Sequence, residues 1–314
     1  MTNLTTRIKV VGVGGSGSNA VSRMAKSHIQ GVDFIAVNAD LQDLKTAKAD
    51  IKIQIGKKLT KGLGTGMNPK IGEFAAKESK EEIKEVLKGS DLVFIASGFG
   101  GGCGTGASPV VAKVAKNEGA VTIAVITTPF SFEGLPRQRI AEKGLENLRN
   151  KVDSLVVVPN DKLLKMVTDR ISVSSAFYLC DEILQQAVQS ISDLISFPGI
   201  VNLDFADLKT VMRNSGRALF GVGRGRDENR VKTAVHSALN SPFLEDISLK
   251  KGKAALVNVT GGGDLALSEI QEAIRMIGEN LAKDAKIIFG ATEEKKLKTG
   301  EIKIAIFITG FEKI

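Results

Sequence analysis

The sequence predicts an α/β protein: an open, mostly parallel sheet, then one long helix, then a second and smaller α/β domain. Three observations predict it. Short apolar, β-branched runs alternate with helical stretches through the first half, as strands of a sheet covered on both faces require. Residues 174–195 run without Gly or Pro. Beyond Pro198 and Gly199, helices again alternate with glycine-bounded strands.

Taken in order, RIKVVGVG (7–14) is a buried strand and SNAVSRMAKSHI (18–29) a helix. DFIAVNAD (33–40) and DIKIQIG (50–56) are the next strands. NPKIGEFAAKESKEEIKEVLKG (68–89) is amphipathic, with Pro69 near its start, and reads as one helix. DLVFIAS (91–97), AVTIAVITT (120–128) and SLVVVPN (154–160) are strands. Between them lie the helices PVVAKVAKNEG (109–119), opened by Pro109, and RQRIAEKGLENLRN (137–150). SSAFYLCDEILQQAVQSISDLI (174–195) makes a helix of about 33 Å. Its largely apolar circumference suits a helix buried between two domains. The rest reads as helix 207–216, strand 218–225, helix 228–240, strand 253–262, helix 266–282 and strands 286–292 and 301–310. The expected divisions are 1–172, 173–197 for the central helix, and 198–314.

Composition narrows the class. Apolar content of 43% and charged content of 25% are ordinary globular usage. The absence of a long apolar run argues against a membrane span, and MTNLTTR carries no apolar signal segment. Cys103 and Cys180 make neither a disulfide framework nor a zinc spacing. A cytoplasmic protein is expected. The net charge of +8 could point to nucleic acid, but the basic residues are scattered beside acids, as in KESKEEIKEVLK. There is no Trp and only one Tyr, Tyr178, so no nucleic-acid partner is expected.

Two glycine-rich turns carry the chemistry. GVGGSGSN (12–19) satisfies G-x-G-x-x-G through Gly12, Gly14 and Gly17, with Asp40 closing the second strand. Alone, this fingerprint has a nicotinamide dehydrogenase as its default and a structural tight turn as its rival. The second turn, SGFGGGCGTGASP (97–109), places six glycines among the nine residues 98–106. So much glycine has a large entropic cost in a mere surface turn. A dehydrogenase needs one such loop, whereas two facing each other can cradle a triphosphate with backbone N–H groups. No G-x-x-x-x-G-K-[ST] occurs, which excludes the ordinary P-loop.

GGGCGTG (100–106) resembles the GGGTGTG signature of the tubulin/FtsZ family. The similarity continues through GLGTGMNPKIG (62–72), TTPFSFEG (127–134), VVPND (157–161), VNLDFADLKTVM (201–212) and TGGGDLAL (260–267). It covers residues 7–314 and is greatest to FtsZ, the bacterial cell-division GTPases that polymerise head to tail. The resemblance implies a tubulin-like Rossmann-type GTPase domain, a long central helix and a smaller C-terminal α/β domain. It implies that Gly100, Gly101, Gly102, Cys103, Gly104, Thr105 and Gly106 wrap the phosphates, with Gly98 and Thr127 in the same set and Thr105 donating its hydroxyl. Gly14, Gly15 and Asn19 would contact the nucleotide from the first turn. Residues 62–72 would lie near the γ-phosphate, and Glu133 and Arg137 on the ribose and phosphate side.

The choice of base has a physical argument. Asp181 follows Phe177 by four residues, on the same helical face. A carboxylate suits the adjacent N–H donors of guanine and would face an acceptor in adenine. The ordinary alternatives are an exposed charge for Asp181 and a core aromatic for Phe177. In the family these positions read guanine, assisted by Asn160 and Asn19. Asn202, Asp204 and Asp207 fall in the loop that the family inserts into the next subunit's nucleotide site, where the two carboxylates polarise the attacking water. An Asx cap is the plain alternative for one of them.

GTP and GDP are therefore the expected ligands, with Mg²⁺ held through phosphates and water, K⁺ as a further cation, and no protein metal cage. The expected partner is a second copy of the chain, in a filament at the division site. Tethering division proteins are less expected, because the chain ends at Ile314, where FtsZ usually continues to a recruitment peptide. A plasmid-segregating filament and a nucleotide-binding scaffold with little turnover are the alternatives. Departures from the family include Cys103 for Thr, Thr128 for Arg, Leu135-Pro136 beside Arg137, Ser16 and Ser18 in the first turn, and the basic charge. Near a helix N-terminus Cys103 is expected either to ionise readily and be alkylatable, or to pack inertly.

Overall fold

The computed structural model describes residues 6–26, 31–164, 172–196, 199–201, 203–241, 243–244, 248–294 and 297–311. The chain divides into two compact units, residues 1–188 and 189–314.

The first unit begins with β1 (Ile8–Val13), α1 (Gly14–Lys26), β2 (Val32–Asn38), α2 (Leu41–Thr46), β3 (Ile51–Gln54), α3 (Lys57–Thr60), α4 (Pro69–Glu78) and α5 (Lys80–Leu87). It continues with β4 (Leu92–Gly98), α6 (Cys103–Asn117), β5 (Val121–Thr128), α7 (Leu135–Arg149), β6 (Ser154–Pro159) and α8 (Asn160–Leu164). The helix α9 (Val173–Ser196) crosses the division between the units. The six strands are parallel in the order β3-β2-β1-β4-β5-β6. Their β-branched runs are buried almost throughout: Val10, Val13, Ile35, Val37, Phe94, Ile95 and Val125 are fully enclosed. The strand order reverses between β1 and β4, where Val13 pairs with Ser97. At such a switch point the following loops diverge and leave a crevice at the carboxyl ends of the strands.

Several helices differ from expectation, among them the short helices α2, α3 and α8, which are not among the expected elements. The amphipathic stretch 68–89 is two helices, broken at Ser79. The Ser79 hydroxyl accepts from the Gly56 amide at 3.3 Å, the kind of bond by which serine competes with helix continuation. Further on, α6 begins at Cys103 rather than at Pro109, so Pro109 lies inside the helix. The glycines of the second turn are helical there because α4 crosses them closely. A Cβ on Gly106 would stand 1.9 Å from the Pro69 carbonyl oxygen. Similarly, α1 starts at Gly14, inside the first glycine turn.

The second unit holds α10 (Phe205–Met212), β7 (Gly216–Arg226), α11 (Arg230–Leu239), β8 (Ala254–Gly261), α12 (Leu267–Gly278), β9 (Lys286–Glu293) and β10 (Glu301–Thr309). Its strands run β7-β10-β8-β9, antiparallel except for the last pair. The alternation FGVGRGR bares one face of β7, and α11 sits directly on it: a Cβ on Gly223 would meet the Ala234 carbonyl at 2.0 Å. Arg230 is buried and bonds Asp264 at 2.7 Å and Glu269. Its charge is thereby compensated, as a buried guanidinium requires. Among the described residues no helix is long and apolar enough to cross a membrane.

Candidate functional site

The two glycine turns leave adjacent strands at the switch point, and they touch. The Ser97 hydroxyl donates to the Val13 carbonyl at 2.9 Å, tying the end of β4 to the end of β1. Over this junction opens a cleft of about 300 Å³ in the first unit. Gly15 and Ser16 border it from the first turn, and Gly98, Gly101, Gly102, Cys103 and Gly104 from the second. The latter run into the N-terminus of α6, a helix of 15 residues. Its first N–H groups have no partner within the helix and form an anion site with the helix dipole.

Not every glycine of the signature lines the cleft. Gly100 and Thr105 shape the loop instead: the Gly100 amide donates to the buried Thr105 hydroxyl oxygen at 3.0 Å. The Thr105 hydroxyl thus accepts within the turn, and its own O–H remains a donor. Gly106 packs under α4, and Gly14 is buried against Gly104. Asn19 is exposed on α1, outside the lining.

The opposite wall carries the polar groups. Thr127 lies at the last-but-one position of β5, and beyond the strand Glu133 and Arg137 pair at 2.9 Å. Glu133 also accepts from the Phe130 amide at 2.9 Å, which fixes the turn before α7. Phe130 is fully buried, stacks on Phe132 at 4.9 Å, and receives Phe177 edge-on at 5.5 Å. Phe177 is held by that contact yet is 42% exposed, so it is no core aromatic. One turn on, Asp181 is 6% exposed, so it is no surface charge either. Burial pushes its carboxyl up to about 6, and Arg23, at 3.1 Å, opposes that shift.

Residues outside the expected set complete the lining. Asn38, Asp40 and Asp43 come from the end of β2 and the start of α2; Phe99, Pro129 and Cys180 fill the walls. Asn38 and Asp40 sit at a strand's carboxyl end, a signal the sequence does carry. Gly64 and Thr65 belong to the stretch 62–72 expected near the γ-phosphate. Asp40 caps α2, accepting from the amides of Gln42 and Asp43. Two buried amide atoms on the lining, Asn38 Nδ2 and Asn160 Oδ1, have no hydrogen-bond partner among the described residues. Such atoms are costly unless a ligand meets them, and a donor and an acceptor suit a nucleoside.

Cys103 departs from one of its expected behaviours. Burial raises its thiol to about 11; a contact from the Ala39 backbone opposes the shift, and Asp40 and Asp43 each add a smaller push upward. Desolvation and these carboxylates outweigh the helix N-terminus, so the thiol is inert rather than acidic.

The remaining candidates lie in the second unit. Asp204 is the N-cap residue of α10, yet its side chain makes no capping bond and is exposed. Asp207 stands in the first turn of α10, partly exposed. Asn202 lies outside the described residues. Among those residues no group of three or more His, Cys, Asp or Glu is placed to hold a metal ion.

Comparison with known proteins agrees with this geometry. The family model "Tubulin/FtsZ family, GTPase domain" matches residues 7–168, and "FtsZ family, C-terminal domain" matches residues 216–312. Among solved structures, an empty FtsZ dimer from M. jannaschii is 46% identical, with a TM-score of 0.94 over 98% of this chain and 89% of that one. The W319Y mutant of M. jannaschii FtsZ gives the same identity and TM-score over 98% and 92%. CetZ2 from Haloferax volcanii, a GTPγS-bound protofilament, shares the fold at 20% identity, with a TM-score of 0.82 over 98% and 94%.

Proposed function

This chain belongs to the tubulin/FtsZ family of GTPases, and on that premise we propose that it polymerises head to tail with GTP and builds the cell-division ring. The observation that carries the reading is the meeting of two glycine turns above the N-terminus of α6, which makes a row of amides for a polyphosphate. In this reading Gly15, Gly101, Gly102, Cys103 and Gly104 take the phosphates, and Gly14, Gly98, Gly100, Thr105, Gly106 and Thr127 support them. Glu133 and Arg137 face the ribose side. Phe177 stacks on the base, Asp181 accepts from its N–H groups, and Asn160 and Asn19 assist.

Hydrolysis is completed by a neighbouring subunit, which supplies Asp204 and Asp207, with Asn202 beside them. Two carboxylates of the cleft are already committed, Asp40 to α2 and Glu133 to Arg137, and Asp181 is assigned to the base. Asp204, by contrast, is left uncommitted at its cap. The related M. jannaschii protein is described as a dimer, which supports self-association. The catalysis proposed is positioning and charge stabilisation, as is usual in phosphoryl transfer. Mg²⁺, with K⁺ as a second cation, would be held through phosphate oxygens and water and would neutralise the phosphate charge. The expected place of action is the cytoplasm, at the division site.

The test is GTP turnover per subunit against protein concentration, for the wild type and for Asp207→Asn. A threshold concentration, together with a variant that binds GTP but turns it over at least about a hundredfold more slowly, is the expected result. Turnover per subunit that is flat with concentration would show one chain to be sufficient. GTP-dependent assembly without turnover would make the protein a scaffold.

A further inference from the structure

Asp181 lines the cleft, but the two residues that hold it do not. Arg23, on α1, places Nε 3.1 Å from Asp181 Oδ2. Its guanidinium carbon lies 4.1 Å from the centre of the Tyr178 ring. Arg23 is therefore clamped between a carboxylate and an aromatic face, and neither it nor Tyr178 lines the cleft. The Asp181 side chain is 8% exposed and that of Arg23 31%. A carboxylate has about four lone-pair sites. The contact from Nε engages Oδ2, and the carboxylate keeps lone pairs for further donors. It also links α1, which opens with the first glycine turn, to the helix that carries Phe177 and Asp181.

We propose that Arg23 is a positioning residue for base recognition, holding one oxygen of Asp181 so that the other accepts the adjacent N–H donors of guanine. The inference rests on reading Asp181 as the guanine acceptor. Among the described residues Arg23, on α1, is the cation paired with this carboxylate; Tyr178 and Cys180 flank it on its own helix, and the charge of Glu133 acts weakly on Cys180. Burial opposes the charge of Asp181 and Arg23 favours it. Without Arg23 burial acts alone, and the carboxyl takes up its proton at a higher pH. A protonated carboxyl turns a donor toward donors, and base recognition fails. Tyr178 contributes by keeping the guanidinium from swinging to solvent.

The experiment measures GTP and ATP dissociation constants and steady-state turnover on the full chain between about pH 5.5 and pH 8. It compares wild type, Arg23→Gln, Arg23→Lys, Tyr178→Leu and Asp181→Asn. Arg23→Gln should weaken GTP binding about tenfold near neutrality. The pH at which GTP affinity is lost should move upward, and KM should rise more than kcat falls. Arg23→Lys should recover part of each effect. If Arg23→Gln does not fold, Tyr178→Leu is read the same way. Wild-type GTP affinity with an unmoved pH midpoint, in whichever of the two folds, overturns the proposal. Asp181→Asn separates the premise: if it still prefers GTP to ATP, the reading of Asp181 itself falls. If it loses that preference while Arg23→Gln behaves as wild type, only the role of Arg23 falls.

Discussion

A Cβ added to Gly14 would stand 2.7 Å from the amide nitrogen of Gly104. The two glycine turns thus meet backbone to backbone, with no room for a side chain between them. Each therefore fixes where the other's N–H groups point, and this contact makes one anion site from two loops about ninety residues apart in sequence.

Gly104→Ala tests the contact. The new methyl would lie 2.6 Å from the Gly98 carbonyl oxygen, 2.6 Å from Ser97 Oγ and 3.3 Å from the Val13 carbonyl. Backbone on both adjacent strands would have to yield. Overpacking of this kind costs about 1–3 kcal/mol. The shift would also turn the amide row, and GTP affinity should fall about tenfold or more. Urea denaturation and a nucleotide-binding titration measure the two effects. A variant with native stability and native affinity would show that the turns do not form a joint site.

The cysteines should resist alkylation in the folded protein. Burial raises Cys103 to about 11, and Cys180, buried beside Asp181, to about 12. Only about one thiol in ten thousand is then ionised at Cys103 near neutral pH, against a few per cent for a free cysteine. Iodoacetamide followed by mass spectrometry should find both thiols slow by about a hundredfold, and fast after unfolding. Rapid labelling of native Cys103 would mean that the helix N-terminus governs its ionisation after all.

Stability and ligand affinity should move in opposite directions as pH falls. Burial raises Asp181 to about 6. It raises Asp193 to about 6 as well, with Lys303 opposing and Glu294 adding to the shift. A raised carboxylate means that the folded chain holds more protons than the unfolded chain between about pH 4 and pH 6. Each group's contribution is therefore fully present below about pH 4 and declines as pH rises through about 6. Between about pH 7 and pH 5 the ligand-free melting temperature should gain from both, and Asp193→Asn should remove one share. Guanine needs charged Asp181, so GTP affinity should drop about tenfold per pH unit below that midpoint. Thermal melts with and without GTP read both quantities, with Asp181→Asn as the baseline. An affinity that climbs on acidification would exclude a charged acceptor at Asp181.

Apart from the short helices α2, α3 and α8, the sequence by itself determined the strands, the longer helices, the two glycine turns and the family. These depend on local periodicity and on contiguous motifs, which need no partner to be read. It did not determine that residues 68–89 break at Ser79 or that α6 starts at Cys103, because a hydroxyl from one segment and a close-packed helix from another decide those boundaries. It named Phe177 and Asp181 but left both with ordinary alternatives. Only burial in the folded chain separates a held, exposed ring from a core aromatic, and a desolvated acid from a surface charge. Cys103 shows the same limit: its place in the motif left an acidic thiol and an inert one both open, and only the loss of water around it in the folded chain, with Asp40 and Asp43 adding, raises the thiol. Arg23 stands in no motif and carried no signal. Its meeting with Asp181 joins positions 158 residues apart through the packing of α1 against α9, a distance that local pattern cannot span.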